Sequence, residues 1–295
     1  MRGFYIKIPQ MQKLGLTYEE TFRMMKIVQR HEISYLRGIY PSYDIQDIRG
    51  YSLMIAEKIM KMVDTLHSVI EYNKDYVVAS MIVRSLADSI SSFILIYSDM
   101  SNEINSLRHY LYILDGVKTR IKLLPDEFDN NGALLQDDYE TLKKQVKCSK
   151  QNAQEAYDIC CRHIKCLSMY KMNSSNIDSL IQKASWRFKY INRSKTIYSW
   201  REMYELIDLG NTDFFSEHLS GFVHGLSMSN LKIDDCEETF MPIYSCAISL
   251  LGKFGAIIRE NYAVELSKMD LSTQILLDQD MPKHYVSRLI KRVCK

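Results

Sequence analysis

The chain has 295 residues, 46% of them hydrophobic and 25% charged, with a formal net charge of +2. That is long enough for one large core or two ordinary domains, and the balance of charge excludes a strongly basic whole-protein DNA binder and an acidic disordered tail. Eleven glycines and five prolines are few for this length, which argues against a turn-rich β fold.

Taken in chain order, residues 1–44 read as irregular or partly helical. Thr17 and Glu20, three apart, form a capping-box signal before "YEETFRMMKIVQRHEISYLR", and Pro41 stops that helix. "DIQDIRGYSLMIAEKIMKMVDTLHSVIEYN" repeats Ile55, Ile59, Met62, Val63, Leu66 and Ile70 three or four apart. In "DYVVASMIVRSLADSISSFILIYSD", Val78, Ile82, Leu86, Ile90, Phe93 and Tyr97 form a wide apolar stripe, which predicts a heavily buried central helix. A third long helix ends before Pro125.

A polar loop follows, and residues 139–168 then read as a long, largely solvated helix. "NSSNIDSLIQKAS" carries a cap signal at its start. "WRFKYINRSKTIYSW" alternates aromatic and basic residues, and "SWREMYELIDLG" is a helix closed by Gly210. "CEETFMPIYSCAISLLGKFGAIIRENY" tolerates Pro242 near its first turn, and "MPKHYVSRLIKRVCK" ends the chain as a basic helix. No repeat and no linker is visible. The expectation is an all-α, up-and-down helical bundle as one domain over 1–295, with an N-terminal extension over 1–44, a core over about 50–230 and C-terminal helices over 231–295.

Seven cysteines, an odd number with three crowded into "CCRHIKC", do not suggest a disulfide framework; reduced thiols and a cytoplasmic setting fit better. The start of the chain lacks a long apolar signal core, and the longest unbroken apolar run, near "FILIY", is short of the ~20 residues of a membrane span. Cys160, Cys161, His163 and Cys166 point different ways on a continuous helix, so no metal site is expected. No glycine-rich phosphate loop or nucleophile signature occurs, so no cofactor is expected either.

The segment "FFSEHLSGFVHG", Phe214 to Gly225, mixes small and polar residues into an apolar helix. Phe215, Leu219, Phe222 and Leu226 share one side, while Ser216, Ser220 and His224 stack on the next stripe. Gly221 and Gly225 allow a second helix to come close. His218 and His224 lie ~120° apart around the axis and cannot form the i, i+4 metal pair of a zinc helix. A buried histidine needs hydrogen-bond partners, and Arg84 and Asp88, i and i+4 on "MIVRSLADSI", are the best candidates. Arg84, Asp88, Ser220 and His224 are therefore expected to meet in one polar cluster. Two readings fit it: a satisfied network that sets helix register, or a site where Arg84 holds phosphate and His224 is a general acid or base.

Arg84, Asp88, Ser220, His224 and Gly225 resemble the recurrent features of a family of bacterial helical proteins of unknown function near the HEPN (higher eukaryotes and prokaryotes nucleotide-binding) superfamily. Those features are an Arg followed by an acid on an early core helix and a later Ser-x-x-x-His-Gly-like ending. The resemblance covers residues of about 50–230 and implies a helical bundle. It also implies a nucleotide- or RNA-binding or protein-interaction role, of a defence or toxin–antitoxin kind by analogy. Active HEPN ribonucleases place an Arg and a His four to six residues apart on one helix and act across a dimer. No Arg precedes His224 in "SEHLSGFVH", which leaves Arg84 to supply the charge from another helix if the chain is a metal-independent ribonuclease.

A second candidate site lies in "KASWRFKYINRSKTIYSWR". Arg187, Lys189, Arg193 and Lys195 alternate there with Trp186, Phe188, Tyr190 and Tyr198. Cations neutralise phosphates and rings stack on unpaired bases, a mixture suited to single-stranded nucleic acid; buried rings with solvated charges are the alternative. Arg288, Lys291, Arg292 and Lys295 near the end suit a helix C-terminus. RNA, a nucleotide or another protein are the partners that fit, with a homodimer as a further option and no membrane; a purely structural helical protein is the remaining alternative.

Overall fold

A computed structural model describes residues 16–127, 129–132, 134–193, 195–207, 213, 217–223, 240–270 and 278. They are mostly helical: α1 (Tyr18–Ile39), α2 (Ile48–Ser68), α3 (Tyr76–Tyr97), α4 (Glu103–Leu123), α5 (Gln136–Cys166), α6 (Ser168–Lys183), α7 (Trp200–Glu205), α8 (Leu219–Val223), α9 (Met241–Asn261) and α10 (Ala263–Leu266). The single β feature among the described residues is an isolated antiparallel bridge between Phe188 and Ile197. The all-α expectation holds. Two compact units form, one from the described residues within Met1–Tyr43, Arg49–Ser98 and Ser199–Lys295, the other from Asp44–Ile48 and Asp99–Tyr198.

In the first unit the Thr17 hydroxyl accepts from the Glu20 amide while the Glu20 carboxylate accepts from the Thr17 amide at 2.7 Å, so the capping box opens α1. The helix ends before Pro41, and the Arg37 guanidinium gathers the next loop by donating to the carbonyls of Tyr40, Pro41, Ser42 and Gly50. α2 runs into a π-turn over Val69–Asn73, closed by Lys74 in the left-handed region (φ 54°).

α3 is the centre of this unit and packs against α7, α8 and α9. Its buried residues include Ala79, Val83, Leu86, Ala87, Ile90, Phe93 and Tyr97, whereas Val78 is exposed. The apolar face is thus turned from the predicted ladder at its N-terminal end, where Val83 rather than Ile82 enters the core. α3 and α9 are long and apolar enough to cross a membrane by length and composition alone, although the longest unbroken apolar run suggests otherwise. In this fold 44% and 50% of their most apolar windows are buried.

α9 lies on α1 as well, and the contact is polar. Arg259 donates twice to the Glu32 carboxylate, at 2.7 and 2.9 Å, and Gln29 donates to the Leu251 carbonyl at 2.6 Å. Gly255 makes room for this, because a Cβ there would sit 2.5 Å from Gln29 Nε2.

In the second unit α4 and α5 run antiparallel. Tyr110 stacks on His163 and Arg120 donates to Ser149, which sets the register. α5 is as solvated as its charges predict: only Ala153, Cys160 and Ile164 are buried along it. α6 lies against α4, whose ends complement the α6 dipole. The Glu103 carboxylate accepts from the Ser168 and Met169 amides at the α6 N-terminus, and Lys118 donates to the Ile181 and Gln182 carbonyls at its C-terminus. The predicted helix start at Asn173 appears as a kink inside α6 (φ −133°, ψ 26°). The C-terminal helix expected over 281–295 and its Arg288, Lys291, Arg292 and Lys295 lie outside the described residues, as does Gly210.

Candidate functional site

α3 is apolar apart from one edge, and Arg84 and Asp88 stand one turn apart on that edge. Their side chains form an ion pair, with 14% and 33% of each exposed. The third member is Tyr204 of α7. Its hydroxyl donates to Asp88 Oδ1 at 2.5 Å, and the Arg84 guanidinium carbon lies 4.8 Å from the centre of its ring, a cation–π distance. α7 is held in place by its own capping box, Ser199 with Glu202. Burial first, and the bond to Asp88 second, push the Tyr204 phenol well above its ordinary range, so the phenol keeps its proton.

Asp88 therefore accepts from a cation and a phenol at once, and its backbone carbonyl accepts from Ser91 and Ser92. A carboxylate engaged in this way is no ready general base. Among the described residues Arg84 Nε is buried without a hydrogen-bond partner. α8, which carries Ser220, packs on α3, with Leu219 and Phe222 buried. No hydrogen bond joins Ser220 to Arg84 or Asp88 among the described residues. His224, Gly225 and Ser216 lie outside the described residues. Of the expected quartet, the structure brings Arg84 and Asp88 together and adds Tyr204 to them.

The second candidate belongs to the other unit. Residues 186–198 form a short hairpin in which the Lys189 amide donates to Thr196 O at 2.9 Å and the Tyr198 amide to Arg187 O at 2.8 Å. Side chains alternate along its first arm, as strand geometry requires. Trp186 and Phe188 turn inward, 8% and 1% exposed. Trp186 meets Tyr112 edge-on and donates its indole N–H to Asp115 at 3.3 Å. Phe188 lies under the Arg108 guanidinium, which also donates to the Phe188 carbonyl. Trp186 is thus an anchor of the hairpin and gives no open stacking face.

Arg187 and Lys189 stand half-exposed, Arg193 and Lys195 are exposed, and Tyr190 at the turn is 56% exposed. Cations lie close to rings here: Lys189 to Tyr198 at 5.4 Å and Arg193 to Tyr190 at 6.0 Å. No acidic residue occurs between 186 and 198. Asp115, Arg108 and Tyr112, which hold the hairpin down, come from α4 and carry no sequence signal that links them to it. Among the described residues no group of His, Cys, Asp and Glu is placed to hold a metal ion. Comparison with protein-family models, curated proteins and solved structures finds no match.

Proposed function

We propose that the chain is a HEPN-like bacterial helical module of the cytoplasm that binds single-stranded RNA through the hairpin at 186–198. The observation that carries this reading is the sorting of its side chains. Trp186 and Phe188 are spent as anchors, while Arg193, Lys195 and the Tyr190 ring are exposed and Arg187 and Lys189 half-exposed, with no acid among them; Arg187 also donates to the Tyr198 carbonyl at 3.2 Å. Cations of this kind follow a phosphate backbone, and an exposed ring accepts any base, so the binding is tolerant of sequence. A nucleotide would meet the same groups as a shorter ligand.

The test is fluorescence anisotropy with a short single-stranded RNA across a salt series. Four phosphate contacts give a slope of log K against log salt of about −3. The double variant Arg193→Ala/Lys195→Ala is expected to halve that slope, and Tyr190→Ala to weaken binding by about 1–3 kcal/mol. Binding that ignores salt, or its absence in the wild type, overturns the reading.

The alternative of a metal-independent ribonuclease using His224 and Arg84 has less behind it, because Arg84 is tied to Asp88 and lies on Tyr204. Those contacts favour a register-setting role for the triad within the bundle.

A further inference from the structure

The apolar seam of α5 outruns its partner helix. Tyr139, Val146, Ala153 and Cys160 recur every seven residues, with Leu142, Ser149, Ala156 and His163 three further on, the a/d pattern of a helix that packs on another helix. The lower half of this seam is used: Ala153 and Cys160 are buried, and His163 stacks on Tyr110 of α4. α4 ends at Leu123, and Arg120 in its last turn already reaches Ser149. Residues 136–148 of α5 continue for ~20 Å beyond that level. There Leu142 is 38% exposed and Tyr139 and Val146 are half-buried, with Lys143 Nζ 5.9 Å from the centre of the Tyr139 ring.

The charges on this projecting stretch are sorted by sign. Asp137, Asp138 and Glu140 occupy its first turn and Lys143, Lys144 and Lys147 the rest of it, with Lys150 just below. Among the described residues Lys150 is paired, with Asp126, while no ion pair engages Asp137, Asp138, Glu140, Lys143, Lys144 or Lys147. An acidic end, an apolar seam and a basic stem in that order are complemented by a helix of the same order running the other way. We propose that the occupant of this seam is α5 of a second copy of the chain, crossing antiparallel near Lys144 in a two-fold dimer. The contact is isologous. It sets Leu142 against Val146 of the second copy and brings the acids at 137–140 beside its Lys147 and its Lys150, which gives up the solvent-exposed pair with Asp126. This inference is independent of the RNA-binding reading.

Sedimentation velocity of the full chain reads the result. The wild type is expected to pass from monomer to dimer as concentration rises, with Kd about tenfold weaker at ~500 than at ~50 mM NaCl, since exposed pairs are screened. Leu142→Asp is expected to be monomeric, with its far-UV circular dichroism unchanged. Lys147→Glu/Lys150→Glu and Asp137→Lys/Asp138→Lys should each be monomeric alone and should form a heterodimer when mixed, because the mixture restores the charge match. A wild-type monomer at ~200 µM in ~50 mM NaCl overturns the proposal. So does a dimer that survives Leu142→Asp and both reversals, or a lysine variant that loses RNA affinity while its dimer persists.

Discussion

His109 is fully buried in the second unit, where one ring nitrogen hydrogen-bonds the Ile45 carbonyl at 2.8 Å. Its ring meets Tyr110 edge-on, and His163 lies close enough to oppose a second positive charge. Burial above all pulls its pKa from the usual 6.5 down to about 4. In the unfolded chain the same imidazole takes a proton near 6.5. Between those two values the unfolded state binds more protons, so stability falls as pH falls through that window. His109 alone contributes up to about 3 kcal/mol to this loss. Chemical denaturation of His109→Gln at pH 7 and pH 4.5 is expected to show a shallower pH dependence than the wild type; an unchanged slope would refute the assignment. Tyr204→Phe removes the hydroxyl from the Asp88 carboxylate and is expected to cost about 1.5–3 kcal/mol with no change in RNA affinity, which urea titration and anisotropy read separately. Arg84 and Asp88 are legible in the sequence because two charged residues one turn apart are unusual on so apolar a helix. Tyr204 is not, since its partner lies 116 positions away and its own helix gives a tyrosine no special context.

Between α1 and α9 the decisive contact is the Glu32–Arg259 pair, with the carboxylate side chain 6% exposed. Burial raises the Glu32 pKa, and Arg259 pulls against that rise. Removing one partner strands the other. Arg259→Leu is expected to destabilise by about 3–5 kcal/mol, while Glu32→Leu/Arg259→Leu costs much less than the two single changes together; additive losses in urea titration would contradict this. Gly255→Ala would crowd Gln29 Nε2 and is expected to cost about 1–3 kcal/mol, a loss that Gln29→Ala partly relieves. The helices themselves are readable in the sequence because each carries a local signal: the capping box at Thr17 and Glu20, the stop before Pro41, Pro242 in the first turn of α9. Local signals also mislead. The cap signal at Asn173 predicts a helix start, but the preceding residues are already helical, and the Asn173 side chain donates to Met169 O at 3.2 Å, so the signal survives as a kink. The alternation in 186–198 is visible as alternation; which side faces inward depends on Asp115, Tyr112 and Arg108 of α4, and those contacts are not written in the segment.

At the scale of the whole molecule, the second unit is inserted between two stretches of the first. Nothing in the sequence marks the edges of its longer stretch: neither Ser98–Asp99 nor Tyr198–Ser199 carries a Pro- or Gly-rich stretch or a shift in composition, and the chain reads as one domain. The two candidate sites fall to different units, with Arg84, Asp88 and Tyr204 in one and the cationic hairpin in the other. In this account the first holds a bundle in register and the second meets RNA. Ultraviolet cross-linking of the full chain to a short uridine-rich RNA, followed by mass spectrometric mapping of the linked peptides, tests that division most directly. Cross-links are expected to concentrate within 187–198, at Tyr190 above all, and to be lost in Tyr190→Ala/Arg193→Ala. Cross-links that gather instead on the peptides containing Arg84 or Tyr204 would contradict it.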